Sequence, residues 1–298
     1  MRFGLNVQNF GVFGDPMILV DLAHDAEAAG WDGFFLWDHL HLEDGVDRPF
    51  ADPTVTVAAI AARTSRLRIG PLVTSPARRR PWKLAREIVS LDVLSAGRLT
   101  LGIGLGWADD DYAPFGETPT RKQRAERVNE ALEILDGLQS GQPYEFHGEH
   151  FNVGPVRFLP RPVQERIPAW VAMTWNGTPN PGPIRRAARV HGVYPEKPVP
   201  HGSPDWLLSA DDIRAILAAI REAGGAQGAY DVVVSGPAAS TDRPFFREYL
   251  RSIEEAGATW YLTPLVQELA SLDELRALVR RGPWGHAGRS VDAGPIGD

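Results

Sequence analysis

The stretch LRIGPLVTSPARRRPWKLAREIVSLDVLSAGRLTLGIGLGW, from Leu67 to Trp107, contains the unit on which the interpretation of the whole chain depends. It begins with a short apolar run, Leu67 to Val73, and continues in a segment with helical spacing from Pro81 to Leu94. A second apolar run, RLTLGIGLG, follows the turn SAGR. A buried strand, a helix and another buried strand in this order are typical of a parallel βαβ unit. The stretch therefore favours a parallel sheet covered by helices.

The same alternation extends along the rest of the chain. Asp15-Pro16 and Asp52-Pro53 each predict a helix start, because Asp caps the first turn and Pro fits there. Eight strands are predicted: 2–9, 32–37, 67–73, 98–106, 168–173, 191–195, 230–236 and 258–264. Eight strands separated by helices predict an α/β fold of the closed (β/α)8 TIM-barrel type. The alternative, a doubly wound open sheet, lacks a G-x-G-x-x-G turn after the first strand.

One segment does not follow this alternation. YEFHGEHFNV, from Tyr144 to Val153, reads as a β-hairpin that turns at Gly148, and we expect it as an excursion between strands four and five. The domain prediction is one barrel over residues 1–282, followed by a Gly- and Pro-rich tail over residues 283–298.

Composition narrows the classes of function. The net charge of -7 argues against a nucleic-acid partner, which requires a basic surface. The 298 residues include no cysteine, which excludes disulfides, thiolate catalysis and cysteine metal sites. No signal peptide and no apolar run of membrane-spanning length are visible, so we expect a cytoplasmic protein without membrane contact.

Candidate catalytic residues follow from the barrel, whose active sites lie at the carboxyl ends of the strands. Asp38 and His39 follow the second strand. A histidine there can exchange protons near neutral pH, and the adjacent carboxylate can tune it. The alternative is a loop histidine bonded to a backbone carbonyl, with Asp38 capping a turn.

Other strand ends provide candidates for binding a planar, phosphate-bearing cofactor. Gly104 and Gly106 allow a ring to approach the backbone closely, although they also suit a tight turn. The loop after the fifth strand leads into a helix and can hold a phosphate. Arg124 and Arg127, three apart on the long helix 121–138, can reach a phosphate, or can form a surface charge pair with Glu130. The cofactor-binding candidates from strand ends and this helix are Asn9, Gly104, Gly106, Trp107, Arg124, Thr174, Trp175, Asn176 and Gly177.

Other chemistries find little support. There is no H-E-x-x-H, G-x-S-x-G or G-x-x-x-x-G-K-[ST] motif, and we expect no metal site. The acidic run from Asp109 to Asp111 is expected to be a solvated loop. A cofactor-free hydrolase or aldolase would need a lysine or a metal at the barrel mouth. The predicted strand ends offer no lysine, although Lys197 lies just after the sixth strand.

These residues together resemble the luciferase-like monooxygenase superfamily, which contains FMN-dependent monooxygenases and coenzyme F420-dependent dehydrogenases and reductases. The resemblance covers most of the chain in order and spacing. It includes AEAAGWDGFFLWDH (26–39), RRPWKLAREIVSLDVLSAGRLTLGIGLGW (79–107) and RAERVNEALEILDGLQSG (124–141).

The resemblance implies an oxidoreductase that uses reduced FMN with oxygen, or coenzyme F420 for hydride transfer, on a small organic substrate. The ring would lie in the barrel mouth against a bulge with a non-prolyl cis peptide bond near Leu72, Val73 and Thr74. The cofactor phosphate would lie near Thr174 to Gly177 and the helix arginines, and His39 would transfer a proton. Many F420-dependent members carry a glutamate where this chain has Trp107, which speaks against a sugar-phosphate dehydrogenase.

The alternative within this resemblance is a non-catalytic flavin-binding barrel protein. The resemblance also implies a homodimer and, for some members, a separate flavin or F420 reductase as partner. FMN and F420 share a ring outline but differ in the tail, which carries glutamates in F420. The run Arg78 to Arg80 after the third strand would suit that acidic tail.

Overall fold

Eight parallel strands form the centre of the computed structural model, which describes residues 1–106, 109–199, 205–237, 244–268 and 270–283. The barrel strands are β1 (Arg2–Val7), β2 (Gly33–Leu36), β3 (Arg68–Pro71), β4 (Leu101–Ile103), β7 (Ala169–Thr174), β8 (Gly192–Glu196), β9 (Asp231–Ser235) and β10 (Trp260–Leu265). Their order is β3-β2-β1-β10-β9-β8-β7-β4. The two end strands meet through the parallel bridges Ile69–Leu99 and Thr74–Ile103, which closes the ring and confirms the TIM barrel.

Helices follow the strands and surround the barrel. They are α1 (Pro16–Ala28), α2 (Pro53–Arg63), α3 (Pro81–Leu94), α4 (Arg121–Gln139), α5 (Pro181–Ala187), α6 (Ala210–Glu222), α7 (Pro244–Glu255) and α8 (Leu272–Arg281). The predicted caps are confirmed, because Asp15 accepts from the Met17 amide at 2.9 Å and Asp52 from the Val55 amide at 2.8 Å. No helix in the described ranges is long and apolar enough to cross a bilayer.

Aromatic side chains fill the lower barrel interior. Phe35, Trp170 and Trp260 are fully buried, and their ring centroids lie 5.1 to 5.9 Å apart. Such tilted and edge-to-face contacts are favourable beyond the burial of area. Because the interior is packed from below, any ligand space must lie toward the carboxyl ends of the strands.

The predicted hairpin is present between barrel strands four and five. It consists of β5 (Pro143–His147) and β6 (Asn152–Arg157), and its turn contains Gly148 as expected. The Glu130 carboxylate on α4 accepts hydrogen bonds from the amides of Glu149, His150 and Phe151, which ties this turn to the helix. Of the expected tail, residues 284–298 lie outside the described residues, so that expectation stays a prediction.

Candidate functional site at the barrel mouth

A cavity of about 720 Å³ opens at the carboxyl ends of the strands. Its floor contains Val73, Gly104 and Ala172, which are small and apolar, and one wall is formed by the start of α4. Backbone glycine is required on this floor, because a Cβ atom at Gly104 would lie 2.7 Å from Cγ2 of Val73. The shape suits a flat ring resting on backbone.

The edge of β3 has the irregular geometry that the resemblance implied. Between the two closing bridges the chain advances five residues on the β3 side (Ile69 to Thr74) and four on the β4 side (Leu99 to Ile103), which is a bulge. The Leu72–Val73 peptide bond inside it is cis, as expected. Val73 lines the cavity, whereas Leu72 is only 2% exposed and packs into the barrel interior.

Asp38 has arginine partners rather than a contact with His39. Its side chain is fully buried, with Nη2 of Arg78 at 2.7 Å from Oδ1 and Nη2 of Arg79 at 2.8 Å from Oδ2. Burial raises the pKa of Asp38, but the charges of Arg78 and Arg79 and a hydrogen bond from Thr74 outweigh it and hold the pKa below its ordinary value. The expectation that Asp38 tunes the neighbouring histidine therefore needs correction, since it neutralises the arginines after β3.

The carboxylate that contacts His39 is Asp111. Its Oδ2 lies 3.2 Å from Nδ1 of His39 and 2.8 Å from Nη1 of Arg78, and its Oδ1 accepts from the Leu40 amide at 2.8 Å. Burial raises the pKa of Asp111, but the His39 hydrogen bond and Arg78 outweigh it and lower the pKa. The side chain is 3% exposed, so the prediction of a solvated acidic loop is wrong for this residue. Nearness in space creates this pair, because the two residues are 72 positions apart in sequence.

Two further candidates support loops instead of facing the cavity. Asn9 is fully buried and its amide nitrogen donates to the carbonyls of His39 and Ala51 at 2.8 and 2.9 Å. Thr74 is 1% exposed, and its hydroxyl accepts from Nε of Arg79 at 3.0 Å. Both side chains position the catalytic candidates, and neither is among the residues that line the cavity. His39 is also absent from that lining, although its side chain is 16% exposed.

Four cations and three carboxylates, Asp109, Glu117 and Glu196, are among the side chains that line the cavity. Arg121, Arg124, Arg186 and Lys197 line it, together with Thr174. Arg124 pairs with Asp109 and its guanidinium carbon lies 4.1 Å from the Tyr112 ring centroid. These contacts exclude the surface pair with Glu130 as the main role of Arg124.

Arg186 is the notable member of this cationic group. It is 7% exposed, and no described carboxylate forms an ion pair with it. Its Nη1 donates a long hydrogen bond to Oδ1 of Asn129 at 3.5 Å. Burial, followed by the positive charges of Arg121 and Arg185, lowers its pKa. A buried cation among other cations is costly unless an anion joins it.

The residues of the predicted loop after β7 lie in three different environments: the cavity wall, the exposed surface and the buried scaffold. Thr174 lines the cavity, while Asn176 and Gly177 are exposed beyond its rim. Trp175 is 1% exposed and its indole N–H donates to Asp212 at 2.8 Å, so it packs the scaffold instead of meeting a ligand. Gly106 lines the cavity with φ +88, where a Cβ atom would lie 2.9 Å from the Tyr112 ring. Trp107 lies outside the described residues.

The end of β8 contributes residues that sequence reasoning did not include among the candidates. Glu196 lines the cavity and its Oε1 accepts from the hydroxyl of the fully buried Tyr194 at 2.7 Å. Burial and the charge of Glu196 raise the pKa of Tyr194 well above its ordinary value, so it remains a hydrogen-bond donor. Nζ of Lys197 is 3.3 Å from Asp212. The strand-end position of Glu196 was the signal available in the sequence.

A set of possible metal ligands lies away from the mouth. Glu126, Glu149 and His150 place their ligand atoms within 4.8 Å of one another where the hairpin turn meets α4. Lys122 already pairs with Glu126 at 3.5 Å, and of the three residues Glu149 is exposed while the other two are half-buried. This cluster has no connection to the cavity chemistry described above.

Comparison with known proteins agrees with this architecture. The chain is 32% identical over 199 residues to an F420-dependent glucose-6-phosphate dehydrogenase from Microbacterium testaceum. The aligned region covers 65% of this chain and 56% of that relative. It thus spans little more than half of that relative's length. An uncharacterized protein from Mycobacterium tuberculosis is 32% identical over 238 residues, covering 74% of this chain and 77% of the relative.

Solved structures share the fold at low sequence identity. The monooxygenase RslO1 from Streptomyces bottropensis matches with a TM-score of 0.73 and 22% identity, covering 94% of this chain and 97% of that one. An F420-dependent secondary alcohol dehydrogenase in complex with an F420-acetone adduct matches with a TM-score of 0.71 and 15% identity, covering 94% and 99%. The family model described as luciferase-like monooxygenase matches residues 14–291, so this chain belongs to the luciferase-like monooxygenase family.

Proposed function

We propose that this protein is an oxidoreductase that binds coenzyme F420 or FMN in the mouth cavity and acts on a small organic substrate. The observation that carries the proposal is Arg186, a buried guanidinium without a described carboxylate partner, facing a cavity of about 720 Å³. A phosphate placed there would satisfy this charge. In F420 a phosphate lies between the ring and the glutamyl tail, and in FMN the phosphate is the end of the tail.

The residues that line the cavity fit both the ring and the phosphate of such a cofactor. Val73, Gly104 and Gly106 would support the ring, because small side chains and bare backbone permit close approach. Arg124, Arg186 and Thr174 would hold the phosphate, since guanidinium forks and a hydroxyl match its oxygens. The bound cofactor would supply hydride transfer, or oxygen activation in the case of FMN.

The chain's own part in the chemistry is to orient groups, exclude water and hold a proton. His39 is the proposed acid or base: its Nδ1 is bonded to Asp111, its Nε2 has no partner among the described residues, and this partly exposed side chain would exchange a proton with a substrate that extends to it from the cavity. Asp111 fixes the ring orientation, and Asn9 fixes the backbone of His39 through hydrogen bonds of 2.8 and 3.2 Å. Arg78 pairs with both Asp111 and Asp38, and these buried ion pairs stabilise the arrangement.

Between the two cofactors we favour coenzyme F420. The relative from Microbacterium testaceum, described as F420-dependent, supports this choice. Oxygen chemistry with FMN is the alternative, and it would require a separate reductase as partner. A homodimer and a cytoplasmic location are further proposals that rest on the family resemblance and composition.

A binding experiment tests the phosphate assignment. Purified protein is titrated with F420, with FMN and with riboflavin, which lacks the phosphate, and binding is followed by fluorescence. Replacing Arg186 by Gln should weaken F420 or FMN binding by about 10- to 100-fold, the value of a charge-assisted hydrogen bond, and leave riboflavin binding unchanged. The matched control is Arg185→Gln, an exposed neighbour on the same helix. No binding of either cofactor to the unmodified protein would refute the proposal.

A further inference from the structure

A second cavity of about 540 Å³ lies beside the first, on the far side of the loop from Gly116 to Pro119. The two cavities share Glu117, Thr118 and Pro119 in their walls, so they adjoin along this loop. The second one is bounded by Arg78–Arg80, by Gln123 and Arg127 of α4, and by the hairpin turn. The sequence had suggested the Arg78–Arg80 run as a place for an acidic tail, and the structure divides that run.

Two of these arginines already have buried carboxylate partners. Arg78 is 5% exposed and pairs with Asp38 and Asp111, and Arg79 is 19% exposed and pairs with Asp38. They form a rigid back wall whose charge is balanced. They are therefore unsuited to recognise a further anion, and the original suggestion is corrected for these two residues.

The remaining arginines are available to a ligand. Arg80 is exposed, and its guanidinium carbon lies 6.0 Å from the centroid of the Trp82 ring. Arg127 is 31% exposed, 3.5 Å from Glu117, which is itself half exposed, and 3.3 Å from the carbonyl of Ala77. An exposed ion pair of this kind exchanges partners at little cost. Gln123 and Thr118 add neutral hydrogen-bonding groups to the same wall.

We propose that this second cavity is a subsite for the carboxylates of the cofactor's glutamyl tail, held by Arg80 and Arg127. The inference rests on the proposed function, because the tail must enter from a cofactor bound in the mouth cavity. Among the described lining residues, Glu117 is the one carboxylate, against four arginines and one histidine. Because Asp38 and Asp111 already neutralise Arg78 and Arg79, the positive excess comes from Arg80 and Arg127 against Glu117, and it favours an anionic occupant over a neutral one. FMN, which ends at its phosphate, would leave the subsite empty, so the cavity selects F420.

The test compares tail lengths. The unmodified protein is titrated with F420 and with its precursor that lacks the glutamates, at low salt and at high salt. We expect F420 to bind about five- to tenfold more tightly, from two partly exposed ion pairs, with the difference shrinking at high salt. In the double variant R80Q/R127Q the ratio of the two dissociation constants should fall to about one, because both tail contacts are lost. The matched control R63Q/R221Q removes two exposed arginines elsewhere and should keep the ratio.

Each outcome separates this inference from the proposed function. A ratio of one in the unmodified protein, or a ratio that R80Q/R127Q leaves unchanged, overturns the tail subsite while the cofactor site stands. Binding of FMN without any binding of F420 also overturns the subsite and leaves the flavin form of the proposed function. If R80Q/R127Q weakens binding of inorganic pyrophosphate but not the tail ratio, the cavity is a phosphate site and the inference fails.

Discussion

Replacement of Asp38 by Asn tests the buried ion network that supports the mouth. The substitution keeps the shape of the side chain and removes its charge, so any loss of stability reports on electrostatics and not on a cavity. Asp38 has no exposed side-chain surface and lies 2.7 Å from Arg78 and 2.8 Å from Arg79. Without the carboxylate, two largely buried guanidinium groups lose their closest partner.

The expected cost can be estimated from these contacts. Breaking a buried ion pair by removing one partner typically costs about 3 to 5 kcal/mol. Arg78 keeps Asp111 at 2.8 Å and Arg79 keeps Glu87 at 3.9 Å, so we take the lower end. We expect the free energy of unfolding to fall by about 3 kcal/mol, and the melting temperature to fall by about 6 to 12 °C for a chain of this size.

Urea unfolding followed by tryptophan fluorescence measures this change. The control is Asp211→Asn, which breaks an exposed pair with Arg214 and should cost about 0 to 1 kcal/mol. A double-mutant cycle with Arg79→Gln should give a coupling energy above about 1 kcal/mol, because the two residues are in direct contact. A loss below about 1 kcal/mol in Asp38→Asn would refute the reasoning, since the arginines would then be satisfied without this carboxylate.

Three further predictions follow from the same geometry. The pKa values of Asp38 and Asp111 are lowered, so the stability they contribute is complete above the ordinary pKa of 3.8 and is lost as pH falls through the lower folded-state pKa. The urea midpoint of the unmodified protein should therefore drop steeply below about pH 4, and that of Asp38→Asn less steeply. The same dependence of the urea midpoint on pH in both proteins would contradict this prediction. Replacing Gly70 by Ala places a Cβ atom 1.8 Å from the Thr100 carbonyl oxygen and should destabilise the protein by about 3 kcal/mol or prevent folding. The control is Gly154→Ala, because no atom lies within 4 Å of the added Cβ atom there. Similar melting temperatures of the two variants would count against the tight packing of β3 on β4. Replacing His39 by Ala should lower kcat by about 10²- to 10⁴-fold with little change in cofactor affinity, and an equal loss of affinity would argue for a binding role instead.

The sequence by itself determined the order and kind of the elements. Caps such as Asp15 and Asp52, apolar runs of strand length and glycine turns act over a few residues, so their patterns are visible in the printed chain. The eight strands, the helices after them and the hairpin at Gly148 followed from those patterns. Because active sites of this barrel lie at strand ends, the cavity residues Gly104, Gly106 and Thr174 were also among the candidates, whereas Val73 was implied by the family resemblance.

Only the tertiary structure decided which of these residues act together. Asp111 contacts His39 across 72 positions of sequence, and Asp38, although adjacent to that histidine, turns to Arg78 and Arg79. Trp175 and Asn9 were correct as strand-end positions but their side chains point into the scaffold. The reason is physical: periodicity encodes which face of an element is apolar, whereas ion pairing and burial depend on distances that exist only after the ring of strands has closed.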